Sequence, residues 1–174
     1  MNEATLGRQP AAFALPRVAM ARWIALLLPL ALLGGAMGSQ YLGGLVPCEM
    51  CYWQRWPHAA AIVLAALAFT APAASDRSRV LTLLAAAAIA VSGAIGVYHA
   101  GVELGIFEGF TTCTSMAAGA TNAELLKSIM KASLVRCDQV QFSFLGISMA
   151  GWNAVLSLGG AAVIAWLAAK RPSA

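Results

Sequence analysis

The stretch WIALLLPLALLGGAMGSQYLGGLVPC, residues 23–48, runs for 26 residues without a charged side chain. Three similar windows follow: 20 residues between Arg55 and Asp76, 23 between Arg79 and Glu103, and 31 between Asp138 and Lys170. A helix needs roughly 20 apolar residues to cross a hydrocarbon core. In lipid the backbone must satisfy its own hydrogen bonds, so helix is the expected form. The windows predict helices over about 20–42, 56–74, 79–99 and 144–168. The expected fold is an all-α membrane protein, a bundle of four transmembrane helices in a single integral membrane domain.

Composition agrees. The chain has 174 residues, 60% hydrophobic and 10% charged, with mean hydropathy +0.76. An ordinary soluble domain is about 45–50% apolar and about 25% charged. Eleven basic and seven acidic side chains cannot coat a soluble domain of this length. Disorder, a secreted disulfide scaffold and nucleic-acid binding all fit these numbers poorly. The first window follows Arg17 and Arg22, as a signal peptide would. It continues past the usual signal core into Tyr41 and Val46, so it reads as a retained span. Gly34 and Gly38 form a small-xxx-small pair suited to helix packing. Ala85 to Ala88, Gly93 and Gly96 crowd the third window in the same way.

Four spans put both termini on one side. That side gathers Arg8, Arg17, Arg22, Arg77, Arg79, Lys170 and Arg171. The other gathers Arg55, Lys127, Lys131 and Arg136, set among Glu49, Glu103, Glu108, Glu124 and Asp138. Basic residues favour the cytoplasmic face. The termini and the 75–79 turn are therefore expected inside. The loops at about 43–55 and 100–143 are expected outside. Within the longer loop, Ala123 to Val135 reads as a short helix with Leu125, Leu126, Ile129 and Met130 on one stripe. Such a helix lies at the membrane interface or packs on the other loop.

All four cysteines fall in the two outward loops: Cys48 and Cys51 in the first, Cys113 and Cys137 in the second. Disulfides persist in an oxidising compartment. Cys48-Glu49-Met50-Cys51 is a CxxC whose closed ring is short and constrains little chain. That makes it a poor staple and a better redox couple. A positive potential nearby favours a reactive thiolate, and Arg55 lies four residues after Cys51. Pro57 and its effect on Trp56 leave open whether Cys51 and Arg55 share a helical face. A structural zinc site would use the CxxC as one half. Cys113 and Cys137, 24 apart, offer no second short-spaced pair, so no metal site is expected. Arg55 between Trp53 and Trp56 also suits a plain interfacial anchor. His58 and His99 close the outward ends of their spans, where either can exchange protons or simply sit at the interface.

These residues resemble the DsbB family of disulfide-forming membrane proteins. The likeness rests on Pro47 through Arg55 (PCEMCYWQR), Tyr98 through Glu103 (YHAGVE), Cys113 and Cys137, and Phe144 through Ser148 (FLGIS) with Trp152-Asn153. It covers roughly residues 20–168. The resemblance implies a bacterial inner-membrane enzyme with its cysteine loops in the periplasm. Such an enzyme oxidises a DsbA-like, thioredoxin-fold partner and passes the electrons to membrane quinone, ubiquinone or menaquinone. The DsbA–DsbB–quinone route is an established one. Carried over, Cys113 is the cysteine attacked by the reduced partner and Cys137 is its disulfide mate. Cys48 exchanges with that pair, and Cys51 meets the quinone. Arg55, Gln54 and His99 fall to the quinone site. Four cysteines allow three connectivities. The expected resting pairs are 48–51 and 113–137, with a 48–137 bond as an intermediate. The competing readings are a non-enzymatic scaffold or metal-binding protein with static disulfides, and a small transporter. The transporter reading lacks intramembrane acids or bases to couple.

Overall fold

The structure, a computed structural model, describes residues 11–109, 121–123 and 135–169. Among these are four helices: α1 (Ala11–Tyr41), α2 (Glu49–Ala68), α3 (Asp76–Glu103) and α4 (Met149–Ala169). A small hairpin, β1 (Ser143–Phe144) and β2 (Ile147–Ser148), precedes α4. Cys113 and nearly all of the expected short helix over 123–135 lie outside the described residues. The protein is helical, and α1, α3 and α4 are each long and apolar enough to cross a membrane. α2 has 20 residues, but its first half carries Glu49, Gln54, Arg55 and His58, and it falls short on composition.

α3 packs along α2 and α4, and α1 along the same two. α2 and α4 touch least and lie on one diagonal, with α1 and α3 on the other. The shared surface is made of small side chains. Ala21 and Ala25 meet Ala61, Ala65, Ala85, Ala86, Ala161 and Ala168, with Ile89, Ile164 and Leu167 between them. In lipid, helices gain little from hydrophobic sorting, so close backbone approach supplies the attraction. Gly96 shows how close: a Cβ there would lie 3.0 Å from Ala150 O and from Ala154 N. At Gly93 a Cβ would meet Leu158 Cγ at 2.8 Å. The expectation for Gly34 and Gly38 fails, because nothing lies within 4 Å of a Cβ at either. α1 instead meets its neighbours through Ala21 and Ala25, nearer its start.

The helix starts differ from the sequence-based reading: α1 begins at Ala11 rather than 20 and α3 at Asp76 rather than 79. α2 begins at Glu49 rather than near 56. Cys48 is extended (φ −77°, ψ 173°), and its Sγ accepts the Cys51 N–H at 3.3 Å, capping the first turn. Pro57 then sits inside the helix without ending it. α2 stops at Ala68 rather than 74, where the Phe69 and Thr70 N–H groups turn back to Ala66 and Leu67. Ser75 caps α3 by accepting the Ser78 N–H at 3.2 Å. α4 begins at Met149, not 144. Leu145 (φ 53°) and Gly146 (φ 78°) are left-handed and close a two-residue hairpin that pairs Phe144 with Ile147. Ser148 then accepts the Gly151 N–H at 3.1 Å and starts the helix.

The ends of the bundle differ in chemistry. At one end Arg79 donates to Ala168 O and Ala169 O, both at 2.7 Å, and satisfies the last carbonyls of α4. Arg22 lies over the Phe69 ring at 4.2 Å and Arg17 over Trp166 at 5.5 Å. The other end joins the close of α1, the start of α2, the close of α3 and the start of α4.

Candidate functional site

That second end holds Cys48, Cys51 and Cys137. Cys48 is 2% exposed and Cys137 fully buried. They form one cluster with Met50 and Val102, against which Cys51, Tyr98 and Val135 pack. Cys48 Sγ lies 2.8 Å from Cys51 Sγ. It also hydrogen-bonds Cys137 from the other loop. The two contacts and burial hold the Cys48 thiol well above the usual thiol range, with the Cys137 contact the largest cause. Arg136 and Asp138 flank Cys137 in a paired clasp, Nη2 to Oδ2 at 2.6 Å and Nε to Oδ1 at 3.0 Å. That bond holds the Asp138 carboxyl below its ordinary range. Gln141 further ties the loops by bonding both the N–H and the carbonyl of Val46.

Because α2 starts at Glu49, Cys51 and Arg55 stand one turn apart on it, which answers the point Pro57 left open. The Arg55 guanidinium donates to Gln40 Oε1 at 2.6 Å and Ala36 O at 3.3 Å, and lies 5.0 Å from the Tyr52 ring. It therefore bridges α2 to α1.

His99 stands on α3 at 3% exposure, its Nε2 3.5 Å from Cys48 Sγ. Its Nδ1 lies 2.8 Å from Gln54 Nε2. Gln54 Oε1 in turn accepts from Asn153 Nδ2 at 2.7 Å. The directions are then consistent: Asn153 donates to Gln54, Gln54 to His99 Nδ1, and the remaining ring proton on Nε2 faces Cys48. Asn153 Oδ1 accepts from Ser157 Oγ at 3.0 Å and faces His58 Nε2 at 2.9 Å. Ser92 Oγ donates to Gln54 O at 2.8 Å and lies 2.9 Å from His58 Nε2. This buried polar chain links α2, α3 and α4 behind the cysteines. Glu103, one turn beyond His99, has Oε1 3.9 Å from His99 Nε2, while its buried Oε2 has no partner among the described residues.

A cavity of about 630 Å³ opens beside the cluster, with Cys48, Cys51, Gln54, Arg55 and His99 on its wall. The rest of the wall is mostly apolar, with Leu32, Leu33, Ala36, Leu45, Phe142 and Met149 among its residues. An apolar pocket of this size with a few convergent polar groups is suited to a flat organic ring.

Six residues singled out from the sequence thus line one cavity: Cys48, Cys51, Gln54, Arg55, His58 and His99. Cys137 lies in the adjoining cluster, and Cys113 is outside the described residues. The sequence reading missed Ser92, Ser157 and the bridging role of Asn153. The available signal was their polarity within otherwise apolar windows, with Asn153 and Ser157 one turn apart. It also missed that Cys48, Cys51 and His99 bring their ligand atoms within 4.8 Å of one another, a possible metal-binding group where none was expected. The partner for the CxxC comes from α3, not from a second cysteine pair.

Comparison with known proteins agrees with this arrangement. The family model described as "Disulfide bond formation protein DsbB" matches residues 18–167. A disulfide bond formation protein B of Hahella chejuensis (strain KCTC 2396) is 29% identical over 168 residues, covering 81% of this chain and 87% of that protein. An uncharacterised protein of Rickettsia prowazekii (strain Madrid E) is 24% identical over 123 residues, covering 69% of this chain and 70% of the other. No solved structure matches. With the family model spanning nearly all of the helical region, the chain belongs to the DsbB family of disulfide bond formation proteins.

Proposed function

We propose that the protein is a quinone-linked thiol oxidase of the bacterial inner membrane that reoxidises a periplasmic DsbA-like protein. The observation that carries this reading is the meeting of Cys48, Cys51 and Cys137 beside a largely apolar cavity edged by Arg55, Gln54 and His99. In the proposed relay a partner thiolate attacks Cys113 of a Cys113–Cys137 disulfide, freeing Cys137. Cys137 attacks Cys48 of the Cys48–Cys51 disulfide, and Cys51 leaves as thiolate. The contact between Cys48 and Cys137 suits that exchange, which needs no large rearrangement of either residue. The second partner thiol then resolves the mixed disulfide, and a 113–137 bond is restored as Cys48 is released. Re-forming the Cys48–Cys51 bond gives up two electrons and two protons, which a bound quinone, ubiquinone or menaquinone, takes up as quinol.

The chain's own groups have separate tasks. Arg55 keeps its charge at any working pH and offers fixed donors to a developing oxyanion. His99 Nε2–H points at Cys48 and stabilises negative charge there. Gln54 and Asn153 hold the ring in that orientation. The topology proposed is four spans, α2 included, with both termini cytoplasmic and the cysteine end periplasmic. The gathering of Arg17, Arg22 and Arg79 at the opposite end supports it.

The test is stopped-flow oxidation of a reduced DsbA-like protein by the purified chain with ubiquinone or menaquinone. Catalytic turnover in the wild type, lost in Cys51→Ser, is expected. Wild-type turnover in Cys51→Ser refutes the relay. Cysteines that stay unreactive with and without quinone favour a scaffold with static disulfides.

A further inference from the structure

We infer that the dithiol form of this site binds a thiophilic divalent metal ion, zinc being the natural case, through Cys48, Cys51, His99 and Glu103. Sγ of Cys48, Sγ of Cys51 and Nε2 of His99 all lie within 4.8 Å of one another. A tetrahedral zinc site has Zn–S near 2.3 Å and Zn–N near 2.0–2.1 Å, which puts neighbouring donors roughly 3.5–3.8 Å apart. Cys48 Sγ and His99 Nε2 already stand at 3.5 Å. The two sulfurs, at 2.8 Å, need to part by about 1 Å, within the reach of one side-chain rotation. The fourth donor, Glu103, stands next to His99 but outside the set of three mutually close ligand atoms, so its carboxylate has to swing toward the sulfurs to bind. The Glu103 side chain is 8% exposed, Oε1 stands 3.9 Å from His99 Nε2, and Oε2 is buried without a hydrogen-bond partner among the described residues. A buried carboxylate oxygen left unpaired is costly, and a cation removes that cost.

Ligation through Nε2 moves the ring proton of His99 to Nδ1. A half-turn of the Gln54 amide, with Asn153 turning alike so that its oxygen accepts the Gln54 N–H, then presents the Gln54 oxygen to that proton, the usual support for a metal-bound imidazole. Binding replaces the two thiol protons by one metal ion, with no change of oxidation state. The disulfide form has no thiolates to offer, so the site exists only between the release and the re-forming of the Cys48–Cys51 bond. Binding needs only the dithiol. Its consequence, arrest of turnover in the reduced state, rests on the oxidase reading above.

The experiment uses the full chain in detergent, reduced, freed of reductant under argon and stripped of quinone. Cobalt(II) serves as a spectroscopic probe and zinc as competitor. One cobalt ion per chain is expected, with the intense visible bands of a tetrahedral thiolate site, displaced by zinc and absent from the disulfide form. Cys51→Ser and His99→Ala lose the bands, Glu103→Gln weakens binding, and Cys137→Ser keeps them. Gln54→Leu lowers affinity about 10–100-fold while helical content is unchanged. Equal binding by the disulfide form overturns the inference. So does loss of the bands in Cys137→Ser with retention in Glu103→Gln, which would assign the fourth position to the other loop. In the turnover assay, zinc is expected to halt cycling until a chelator is added. Metal binding by a chain with no oxidase activity supports the site and overturns the oxidase reading.

Discussion

Cys48 and Cys51 are chemically unequal although only two residues separate them. Cys48 is buried, and its bonds to Cys137 and Cys51 favour the protonated thiol. Cys51 is partly exposed on the cavity wall. In fully reduced protein near neutral pH, alkylation is therefore expected to reach Cys51 first, by roughly tenfold or more. Peptide mapping after a short iodoacetamide pulse checks this, and faster modification of Cys48 contradicts it. Asn153 is a positioning residue. Asn153→Ala strips Gln54 Oε1, Ser157 and His58 of a partner at once. A loss of about 1–3 kcal/mol in stability is expected. Slower electron transfer to quinone should accompany it, while the affinity for the thiol partner is retained. A variant that loses only stability and keeps its quinone rate limits Asn153 to the core. Asp138 adds a pH statement. Its carboxyl is held below the usual range by Arg136, so the clasp persists above that depressed value and opens only as pH falls through it. Asp138→Asn is then expected to leave the pH profile of thiol exchange unchanged between about pH 5 and 8, where an Asp of ordinary or lowered pKa is already ionised. A shifted profile in that range would assign the titration to Asp138.

At the scale of the elements, glycines that look alike in sequence are unlike in place. Gly96 faces the backbone of α4 at Ala150 and Ala154, which cannot step aside, whereas Gly34 faces open space. Gly96→Val is expected to destabilise by roughly 1–3 kcal/mol. Gly34→Ala is expected to be neutral or slightly stabilising, since alanine is the better helix former. Thermal unfolding in one detergent compares them directly, and equal effects refute the packing assignment. Helix existence was legible from the charge gaps, because burial in lipid leaves few other sequences available. Helix ends were less so. The early start of α2 depends on Cys48 acting as a cap, a role its sulfur shares with redox chemistry. The late start of α4 depends on Leu145 at positive φ, an unusual residue for that conformation. Within the site, Cys48, Cys51 and Arg55 could be read from spacing along one segment. The Asn153–Gln54–His99 chain could not, because its members are 45 and 99 residues apart and meet only once three helices pack.

For the whole molecule, orientation is the open prediction of greatest reach. In a chain with its native cysteines removed, single reporters at Ser75 and Gln139 mark the two ends. A membrane-impermeant maleimide on intact cells is expected to label Gln139→Cys. Ser75→Cys is expected to react only after the membrane is breached. The reverse pattern would put the site in the reducing cytoplasm, where disulfides rarely last. The alanine-built interior carries one more implication, about how this fold tolerates change. Where Ala21, Ala25, Ala61, Ala65 and Ala85 together build the buried cluster, an alanine scan is blind, since there is nothing left to trim. Damage comes from enlargement: one added methylene on any of them has to wedge whole helices apart. At these alanines harmful variants will therefore be gains of volume, opposite to the pattern of a leucine-rich soluble core.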